Sequence, residues 1–374
     1  MKTLIAPNRR SFLATLGATS LLLCGPLLAQ SRLDGASFGI VADDGSDQTA
    51  AVQKAIDSAA SSGLSLTLPP GEIGVGTLNF PPRLALEGSG SKTILRALGS
   101  DPIARIENGE RIVIEDIAFA AAPDAPTDQG PLLDFVRSVG VDLVRCRLSG
   151  GGGGILARNS VLNIAGCSFA DHADAAIHSA NSGGMSITNN RIARCGNAGI
   201  RIWRDEAGSD GSIVRGNRIK AIDWRDGGNG QNGNGINIYK ADEVIIADNH
   251  LDGCAFSAIR LNSTRNVQVS GNLCLNSGEV AIFSEFAFSG SVIANNIIDT
   301  AATGISITNL DQGEGWRCAL AILCATSRQN QRSIPTPSPS AFTPKPIPRY
   351  RVTASAMSRA LPSWRAMAAF SIMC

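Results

Sequence analysis

The chain has 374 residues and a formal net charge of +1 at pH 7. A charge this close to zero favours neither nucleic acid nor an anionic membrane as a partner of the whole chain. The composition includes 40 glycines, 5% aromatic residues and 17% charged residues, which is typical of many tight turns rather than of one thick globular core.

The first thirty residues have the pattern of an export signal. The segment from Asn8 to Leu13 resembles a twin-arginine motif, and an apolar run continues from there to Leu28. This run is too short, and too interrupted by glycine and proline, to predict a membrane span. We expect cleavage after about Ala29, export by the twin-arginine translocase, a periplasmic or extracellular location, and no stable membrane span in the mature protein.

The next segment, residues 38–59, predicts a turn followed by an amphipathic helix. Ser46 or Asp47 can cap a helix that carries Val52, Ile56 and Ala59 on one face. Short apolar runs separated by Pro-Pro-Gly and Gly-Ser-Gly follow this helix and are typical of short strands.

A repeat with a near-constant step extends from Ala176 to Thr308. Its marker is an isoleucine after alanine or glycine, and the steps between markers are 23, 36, 23, 23 and 23 residues. The markers are Ile177, Ile200, Ile236, Ile259, Ile282 and Ile305. A period in the low twenties predicts a solenoid, in which each coil buries its apolar face against its neighbours.

An asparagine follows most marker isoleucines after thirteen residues. These asparagines are Asn190, Asn249, Asn272 and Asn295, and we expect them to form a structural ladder along the solenoid. Asn217 keeps the pattern with extra residues around it: four near Glu206–Gly211 and nine near Trp224–Asn234. Function on a rigid scaffold is usually carried by such inserted loops.

Five cysteines lie between the export signal and the tail, and none forms a CxxC pair. Cys195 and Cys254 each precede a marker isoleucine by five residues, so they belong to one structural column. We interpret them as small buried residues rather than as redox or metal-binding groups.

The segment that begins near Phe38 resembles the N-terminal segment of the pectate-lyase-like superfamily, in which a GDGxxDxTxAxQxAI motif forms the helix that closes the first coil. The matching residues are Asp44, Gly45, Asp47, Thr49, Ala51, Gln53, Ala55 and Ile56. With the signal and the repeat, residues 8–313 are similar to the twin-arginine-translocated repeat proteins, a family without an assigned activity. The resemblance implies an all-β, right-handed parallel β-helix over residues 31–313 with a short N-terminal capping helix.

The repeat stops after Gly313, and residues 315–374 contain no aspartate or glutamate. The same residues hold eight arginines or lysines and seven prolines. We interpret residues 314–374 as an aberrant tail that follows a change of reading frame near Glu314. A disordered, basic, proline-rich segment is the alternative. A solenoid cut in this way exposes an open coil end, so we expect poor solubility or end-to-end association.

In each Ile-x-Ile strand the isoleucines point inward, and the alternate residues form two outward columns. The first column is His178, Arg201, Asn237, Arg260, Phe283 and Ser306, and the second is Ala180, Trp203, Tyr239, Asn262, Glu285 and Thr308. Aromatic rings with amides and arginines between them suit a sugar chain, and arginines suit one that carries carboxylates. The candidate sugar contacts are Trp203, Asn237, Tyr239, Asn262 and Glu285; an ordinary solvated sheet face is the alternative.

If the protein is an enzyme, the residues on this face limit the reactions that it can catalyse there. Glycoside hydrolysis needs two carboxyl groups within about 5–10 Å, and the outward columns offer only Glu285. β-Elimination or C5 epimerisation of a uronate needs a base and a cation that neutralises the carboxylate and the enolate. The candidates for these roles are His178, Arg201, Tyr239, Lys240 and Arg260. A polysaccharide lyase or C5-epimerase is therefore favoured over a hydrolase, with a non-catalytic binding or structural solenoid as the alternative.

The sequence predicts no cofactor, with calcium as an alternative. Oxygen ligands for calcium can come from Asp171 and Asp174 or from Asp205 and Asp210, although surface acids this close together are common. The tetrapeptide from Asp171 to Asp174 is similar to a DPHD-like motif of alginate epimerases but lacks its proline. Three scattered histidines do not predict a transition-metal site.

Overall fold

The computed structural model describes residues 32–125, 130–228 and 230–308, together with the backbone of residues 369–372. The predicted export signal lies outside the described residues, as does the predicted tail up to residue 368. The interpretation of both segments therefore stays a prediction.

One α-helix, α1 (Thr49–Ser62), closes the first coil of the described chain. Its buried face consists of Val52, Ala55, Ile56 and Ala59, which agrees with the predicted face. Of the two predicted capping residues, Asp47 accepts a hydrogen bond from the Thr49 backbone N–H at 2.9 Å. Two short 3₁₀ segments, Gly35–Phe38 and Gly90–Lys92, lie nearby.

Strands make up most of the remaining described chain. The first nine are β1 (Arg32–Asp34), β2 (Ser65–Thr67), β3 (Gly71–Val75), β4 (Leu78–Asn79), β5 (Ala85–Glu87), β6 (Thr93–Ala97), β7 (Ala104–Glu107), β8 (Glu110–Glu115) and β9 (Ala118–Ala120). The next ten are β10 (Pro131–Val136), β11 (Val139–Val144), β12 (Arg147–Ser149), β13 (Gly153–Arg158), β14 (Val161–Ala165), β15 (Ser168–Ala170), β16 (Ala175–Ala180), β17 (Ser186–Thr188), β18 (Arg191–Cys195) and β19 (Ala198–Ser209). The last are β20 (Ile213–Arg215), β21 (Arg218–Ile222), β22 (Asn234–Asp242), β23 (Ile245–Ala247), β24 (His250–Cys254), β25 (Ile259–Asn262), β26 (Gln268–Ser270), β27 (Leu273–Glu285), β28 (Val292–Ala294), β29 (Ile297–Thr308) and β30 (Ala369–Ile372).

These strands stack into three parallel sheets, which we name A, B and C in the order in which each coil visits them. Sheet A has the order β1-β2-β5-β8-β11-β14-β17-β20-β23-β26-β28. Sheet B contains β3, β6, β9, β12, β15, β18, β21 and β24, and sheet C contains β4, β7, β10, β13, β16, β19, β22 and β25. The long strands β27 and β29 belong to sheet B at their start and to sheet C at their end, because each turns the corner without a break.

The predicted isoleucine repeat forms one continuous ladder in sheet C. Ile155 pairs with Ile177, and the ladder continues through the six marker isoleucines to Ile305. Each of these side chains is at most 3% exposed, so every coil buries its apolar residues against the coils above and below. The described chain is a parallel β-helix, as the repeat predicts.

The predicted asparagine ladder is present at the corner between sheets A and B, with one correction. Asn217 Nδ2 donates to Asn249 Oδ1 at 2.9 Å, and the same side chain accepts from Asn190 Nδ2 at 3.0 Å. Asn272 continues the ladder, and its Nδ2 donates to Asn296 Oδ1 at 2.9 Å. The last member is therefore Asn296 rather than the predicted Asn295.

The residue before each ladder asparagine adopts the left-handed conformation that the corner requires. These residues are Asn189, Gly216, Asp248, Gly271 and Asn295, with φ between 56° and 68°. Asn295 thus makes the turn, with φ 56°, while Asn296 supplies the ladder amide. Asparagine, aspartate and glycine occupy the turn position because they tolerate the left-handed backbone region best.

Candidate functional site

The two outward columns of sheet C are in the predicted register. His178 pairs with Arg201, Arg201 with Asn237, and Asn237 with Arg260. The second column pairs Trp203 with Tyr239, and it continues through Asn262 to Glu285. Strand pairing in successive coils therefore brings the predicted candidates together on one face.

The described parts of the inserted loop, 223–228 and 230–234, fold over the middle of this face and cover the central residues of the first column. Arg201 Nη2 donates to Asn232 Oδ1 at 2.8 Å, and Asn237 Nδ2 donates to the Gln231 carbonyl oxygen at 3.0 Å. Arg201 is 5% exposed, Asn237 3% and Arg260 6%. The expected outward exposure is thus wrong for these three residues, because the insertion near Trp224 lies across them instead of projecting into solvent.

A polar network fastens this loop to the preceding coil. Arg201 Nη1 lies 2.9 Å from Asp174 Oδ2, and Asn197 Nδ2 donates to both Asp174 Oδ1 at 3.0 Å and Asp226 Oδ2 at 2.6 Å. Asn197 Oδ1 also accepts from the Asp226 backbone N–H at 3.0 Å. Sequence reasoning did not assign this role to Asn197, Asp226 or Asn232; the only signal was the run of asparagines and glycines inside the insertion.

Arg260 and Glu285 form a second ion pair on the same face, and both of its side chains are buried. Arg260 Nε lies 2.6 Å from Glu285 Oε1, and Asn262 Nδ2 donates to the same oxygen at 3.1 Å. Glu285 is 3% exposed. Arg260 and Glu285, two residues predicted to bind a sugar or a carboxylate, are thus paired with each other.

Three aromatic side chains on successive coils form a half-buried strip beside the covered residues. We call His178, Trp203 and Tyr239 the aromatic strip. The ring centroids of His178 and Trp203 are 5.3 Å apart, and those of Trp203 and Tyr239 are 6.2 Å apart, both edge-on. Lys240 Nζ lies 5.2 Å from the Tyr239 ring centroid and donates to the Asp205 carbonyl oxygen at 2.7 Å. The three side chains of this strip keep partial access to solvent.

The two histidines near this face are held neutral at physiological pH. Burial, followed by the positive charge of Arg201, lowers the pKa of His178 to about 4. Burial also lowers the pKa of His172 to about 4, and His172 Nδ1 lies 2.7 Å from the Gly150 carbonyl oxygen. Because a carbonyl only accepts, Nδ1 carries the proton of His172. Neutral His178 can accept a proton, whereas His172 lies beneath the surface.

Three of the four acidic residues proposed for calcium pair closely with other side chains. Asp171 pairs with Arg194 at 2.6 Å, Asp174 pairs with Arg201, and Asp205 Oδ2 accepts from Asn181 Nδ2 at 2.6 Å. No group of three or more His, Cys, Asp or Glu side chains in the described part of the chain is arranged to hold a metal ion.

The five cysteines of the coils are free and buried, as predicted. Burial raises the pKa of Cys195 and Cys254 to about 12, so their thiols stay protonated. Cys146 and Cys167 are neighbours at the sheet A–B corner, where the Cys167 backbone N–H donates to Asn190 Oδ1 at 2.8 Å. They extend the asparagine column toward the N-terminus as packing residues.

Two family models match parts of the chain. Residues 135–230 match the right-handed beta helix region, and residues 207–315 match the model described as a periplasmic copper-binding protein, NosD. Among the described residues, no group of three or more His, Cys, Asp or Glu side chains is arranged to hold a copper ion. The comparison with curated proteins finds no match. Helix α1 and the rest of the described chain contain no helical segment with the length and apolarity needed to cross a bilayer.

Solved structures match over most of the chain at low identity. The A-module of the mannuronan C-5 epimerase AlgE4 from Azotobacter vinelandii is 17% identical, with 80% of this chain and 96% of that chain covered and a TM-score of 0.61. A tailspike protein of the Escherichia coli bacteriophage HK620 is 11% identical, with 80% and 63% covered and a TM-score of 0.60. At these identities the likeness concerns the fold alone. The described chain is a right-handed parallel β-helix with one helix near its N-terminus, as the sequence predicts.

Proposed function

We propose that this protein is exported and recognises a polysaccharide or an envelope glycan along the aromatic strip of sheet C. The strip is the observation that carries the proposal, since Trp203 and Tyr239 stand half-exposed on adjacent coils. Sugar rings stack on such side chains, and adjacent coils about 4.8 Å apart present a row of contacts to a chain that runs along the solenoid.

The charge beside the strip favours a glycan that carries carboxylates. Lys240 donates to a backbone carbonyl and forms no ion pair among the described residues, so its charge remains available at the surface. Arg201 and Arg260, in contrast, are neutralised by Asp174 and Glu285. Lys240 therefore replaces the two arginines as the cation proposed to contact the ligand.

The comparisons support this proposal in a general way. The similar solved structures include a mannuronan epimerase module and bacteriophage tailspikes, one of which is described as an enzymatically active domain. One matched family model is described as periplasmic, which supports export to that compartment. The twin-arginine route stays part of the proposal and rests on the sequence from Asn8 to Leu13.

A second candidate function is β-elimination or C5 epimerisation of a uronate. The observation that favours it is the neutral imidazole of His178, 5.3 Å from Trp203 and two coils from Tyr239. Neutral His178 can remove the C5 proton, Lys240 can offset the charge on the carboxylate, and the Tyr239 hydroxyl can return or donate a proton. Hydrolysis is less suited, because Glu285, the carboxyl group that the outward columns offer, is paired with Arg260.

Retention on immobilised polyuronate separates binding from a structural role. We expect Trp203→Ala and Tyr239→Ala each to weaken retention by about five- to tenfold, because each removes one stacking surface. The control is Ile245→Ala, which removes a comparably exposed apolar side chain from sheet A. Equal retention of all variants would contradict the proposal.

Catalysis has a separate readout. A lyase creates unsaturated ends that absorb ultraviolet light, and an epimerase exchanges the C5 proton with solvent deuterium. We expect His178→Gln to abolish either signal while retention survives. Retention without either signal in the unsubstituted protein would leave glycan binding as the function and remove the catalytic candidate.

A further inference from the structure

The outer surface of sheet B carries a column of arginines that sequence reasoning did not single out. Arg147 pairs with Ser168, Ser168 with Arg191, and Arg191 with Arg218 in successive coils. Lys220 points to the same side two residues after Arg218. These side chains line a groove of about 310 Å³ on the surface of sheet B.

Small residues form the floor of this groove. Ser168 stands between the first two arginines of the column, and Ala170 and Ala193 precede Lys220 in the neighbouring column. Because these side chains are short, the long cationic side chains form walls around a shallow channel. The channel follows the stacking direction, so an extended ligand lies along the solenoid rather than around it.

The arginines of the groove form no ion pair with another described residue, in contrast to several other arginines on the surface. Arg145, Arg194 and Arg215 each pair with an aspartate of a neighbouring coil. In the described part of the chain, Arg147, Arg191 and Arg218 are exposed and form neither an ion pair nor a side-chain hydrogen bond. Lys220 has one weak contact, with its Nζ 3.5 Å from Asp252 Oδ2. The groove therefore concentrates positive charge on a chain whose net charge is close to zero.

We propose that this groove is a second binding site, specific for an acidic polysaccharide. Guanidinium groups bind carboxylates with two parallel hydrogen bonds, and the exposed fork of each arginine is free to do so. One coil separates Arg191 from Arg218 and two separate Arg147 from Arg191, which places cations about 5 and 10 Å apart. A sugar chain with repeated carboxylates presents charges at similar intervals along an extended line.

A nucleic acid is less suited to the same groove. Single-stranded nucleic acids are held by exposed aromatic side chains on which the bases stack, in addition to cations. The aromatic residue of the groove, Phe169, is 1% exposed and belongs to the core. The floor offers alanine and serine instead, which can pack against a sugar chain but give no stacking platform.

The proposal concerns a surface separate from the aromatic strip, although both sites take the same class of ligand. The strip lies on sheet C, and the groove is lined by residues of β12, β15, β18 and β21 on sheet B. Either site can therefore fail without the other, and two sites on one rigid solenoid would let the protein hold one long chain at two places.

The test uses the full chain and a fluorescently labelled oligomer of a uronic acid, with affinity measured by anisotropy at several salt concentrations. We expect Arg191→Ala/Arg218→Ala to weaken binding about tenfold at low salt and to reduce the salt dependence. The matched control is Arg194→Ala/Arg215→Ala, which removes the same charge from exposed arginines that are already paired. We expect less than a twofold effect from the control.

Three outcomes of these binding measurements would overturn the proposal, and a fourth comes from comparison with the strip variant. The first is equal weakening by the two double variants, which would indicate a general charge effect. The second is binding of a neutral dextran as tight as that of the uronate. The third is stronger competition by single-stranded DNA than by unlabelled polyuronate. The double variant Trp203→Ala/Tyr239→Ala distinguishes the two sites. If it binds fully while the groove variant loses binding, the strip is rejected and the groove is kept. If it loses binding while the groove variant binds fully, the groove is rejected.

Discussion

Arg201 Nη1 lies 2.9 Å from Asp174 Oδ2, and this contact ties a loop to the coil beneath it. Arg201 is almost fully buried, whereas the Asp174 side chain is 46% exposed. The second donor group of the guanidinium bonds to Asn232, so one arginine joins the preceding turn and the inserted loop 223–234. The position of the loop over sheet C therefore depends on an ion pair that is half open to water.

Replacement of Asp174 should loosen this loop. We expect Asp174→Asn to cost about 1–2 kcal/mol, because it leaves the buried Arg201 guanidinium without a negatively charged partner. The loop should then become more accessible to trypsin, which can cleave after the exposed Arg225. Limited proteolysis with mass spectrometry measures the cleavage rate, and urea unfolding measures the cost.

The control for this prediction is Asp248→Asn, which breaks the exposed pair with Arg215. An exposed ion pair contributes about 0.5 kcal/mol or less, so neither readout should change appreciably. If Asp174→Asn also left cleavage after Arg225 unchanged, the ion pair would not be what holds the loop.

Removal of one amide from the asparagine ladder should destabilise the whole solenoid. Asn217 Nδ2 donates to the Ile187 carbonyl oxygen and to Asn249 Oδ1, both at 2.9 Å, and Asn217 Oδ1 accepts two bonds from Asn190. We expect Asn217→Ala to cost about 3 kcal/mol, because buried donors and acceptors in two coils lose their partners.

The matched control is Asn295→Gly, at the exposed position that spacing alone assigned to the ladder. Glycine adopts the same left-handed backbone without strain, so the free energy of unfolding should change by less than about 1 kcal/mol. Urea denaturation measures both variants. A larger loss of unfolding free energy for Asn295→Gly than for Asn217→Ala would contradict the assignment of Asn296, rather than Asn295, to the ladder.

The repeat could be read from the sequence because stacking forces equivalent residues of successive coils into register. The Ile177–Ile200 step and the later 23-residue steps map directly onto pairs of sheet C. The same spacing predicted the wrong ladder residue at the last corner, Asn295 instead of Asn296, because this corner lies one residue later than in most other coils. Two adjacent asparagines carry no local signal that separates the turn residue from the ladder residue.

The candidate site was less predictable, for two physical reasons. The sequence locates the insertion near Trp224 but not its path, which depends on long-range contacts such as that between Arg201 and Asn232. The basic groove was missed because Arg147, Arg191 and Arg218 are separated by 44 and 27 residues, as their numbers show. Only the pairing of β12, β15, β18 and β21 makes them neighbours.

Stability should fall as the pH is lowered from about 6.5 toward 4. His172 and His178 have folded-state pKa values near 4, below the unfolded value of 6.5. In this window the unfolded chain binds protons that the folded chain does not, so the free energy of unfolding rises with pH. The stabilisation is fully present above pH 6.5, and each histidine should account for about 1–3 kcal/mol of the loss.

The double variant His172→Gln/His178→Gln should flatten this pH dependence, because glutamine does not titrate and retains an N–H donor for the Gly150 carbonyl. Buried Asp210 has a raised pKa and acts in the opposite direction, so the comparison with the unsubstituted protein is the informative one. Urea midpoints between pH 7 and 5 give the result. Identical slopes in the two proteins would show that the folded protein does not lower the pKa values of the two histidines.

Strand β29 of the last coil pairs at its outer edge with a strand from the C-terminal segment. Strand β30 runs antiparallel to β29, with Ile305 opposite Ile372 and Thr308 opposite Ala369. We expect a chain that ends at Thr308 to self-associate more than the full chain, because removal of β30 leaves the N–H and C=O groups of β29 unpaired at a sheet edge. Light scattering coupled to size-exclusion chromatography over a concentration series measures this self-association.

Phe370→Pro/Ser371→Pro should reproduce the effect at full length, since proline supplies no N–H to the ladder. Monodisperse monomers in all three samples would mean that the edge does not govern association, and would also contradict the end-to-end association expected from the sequence.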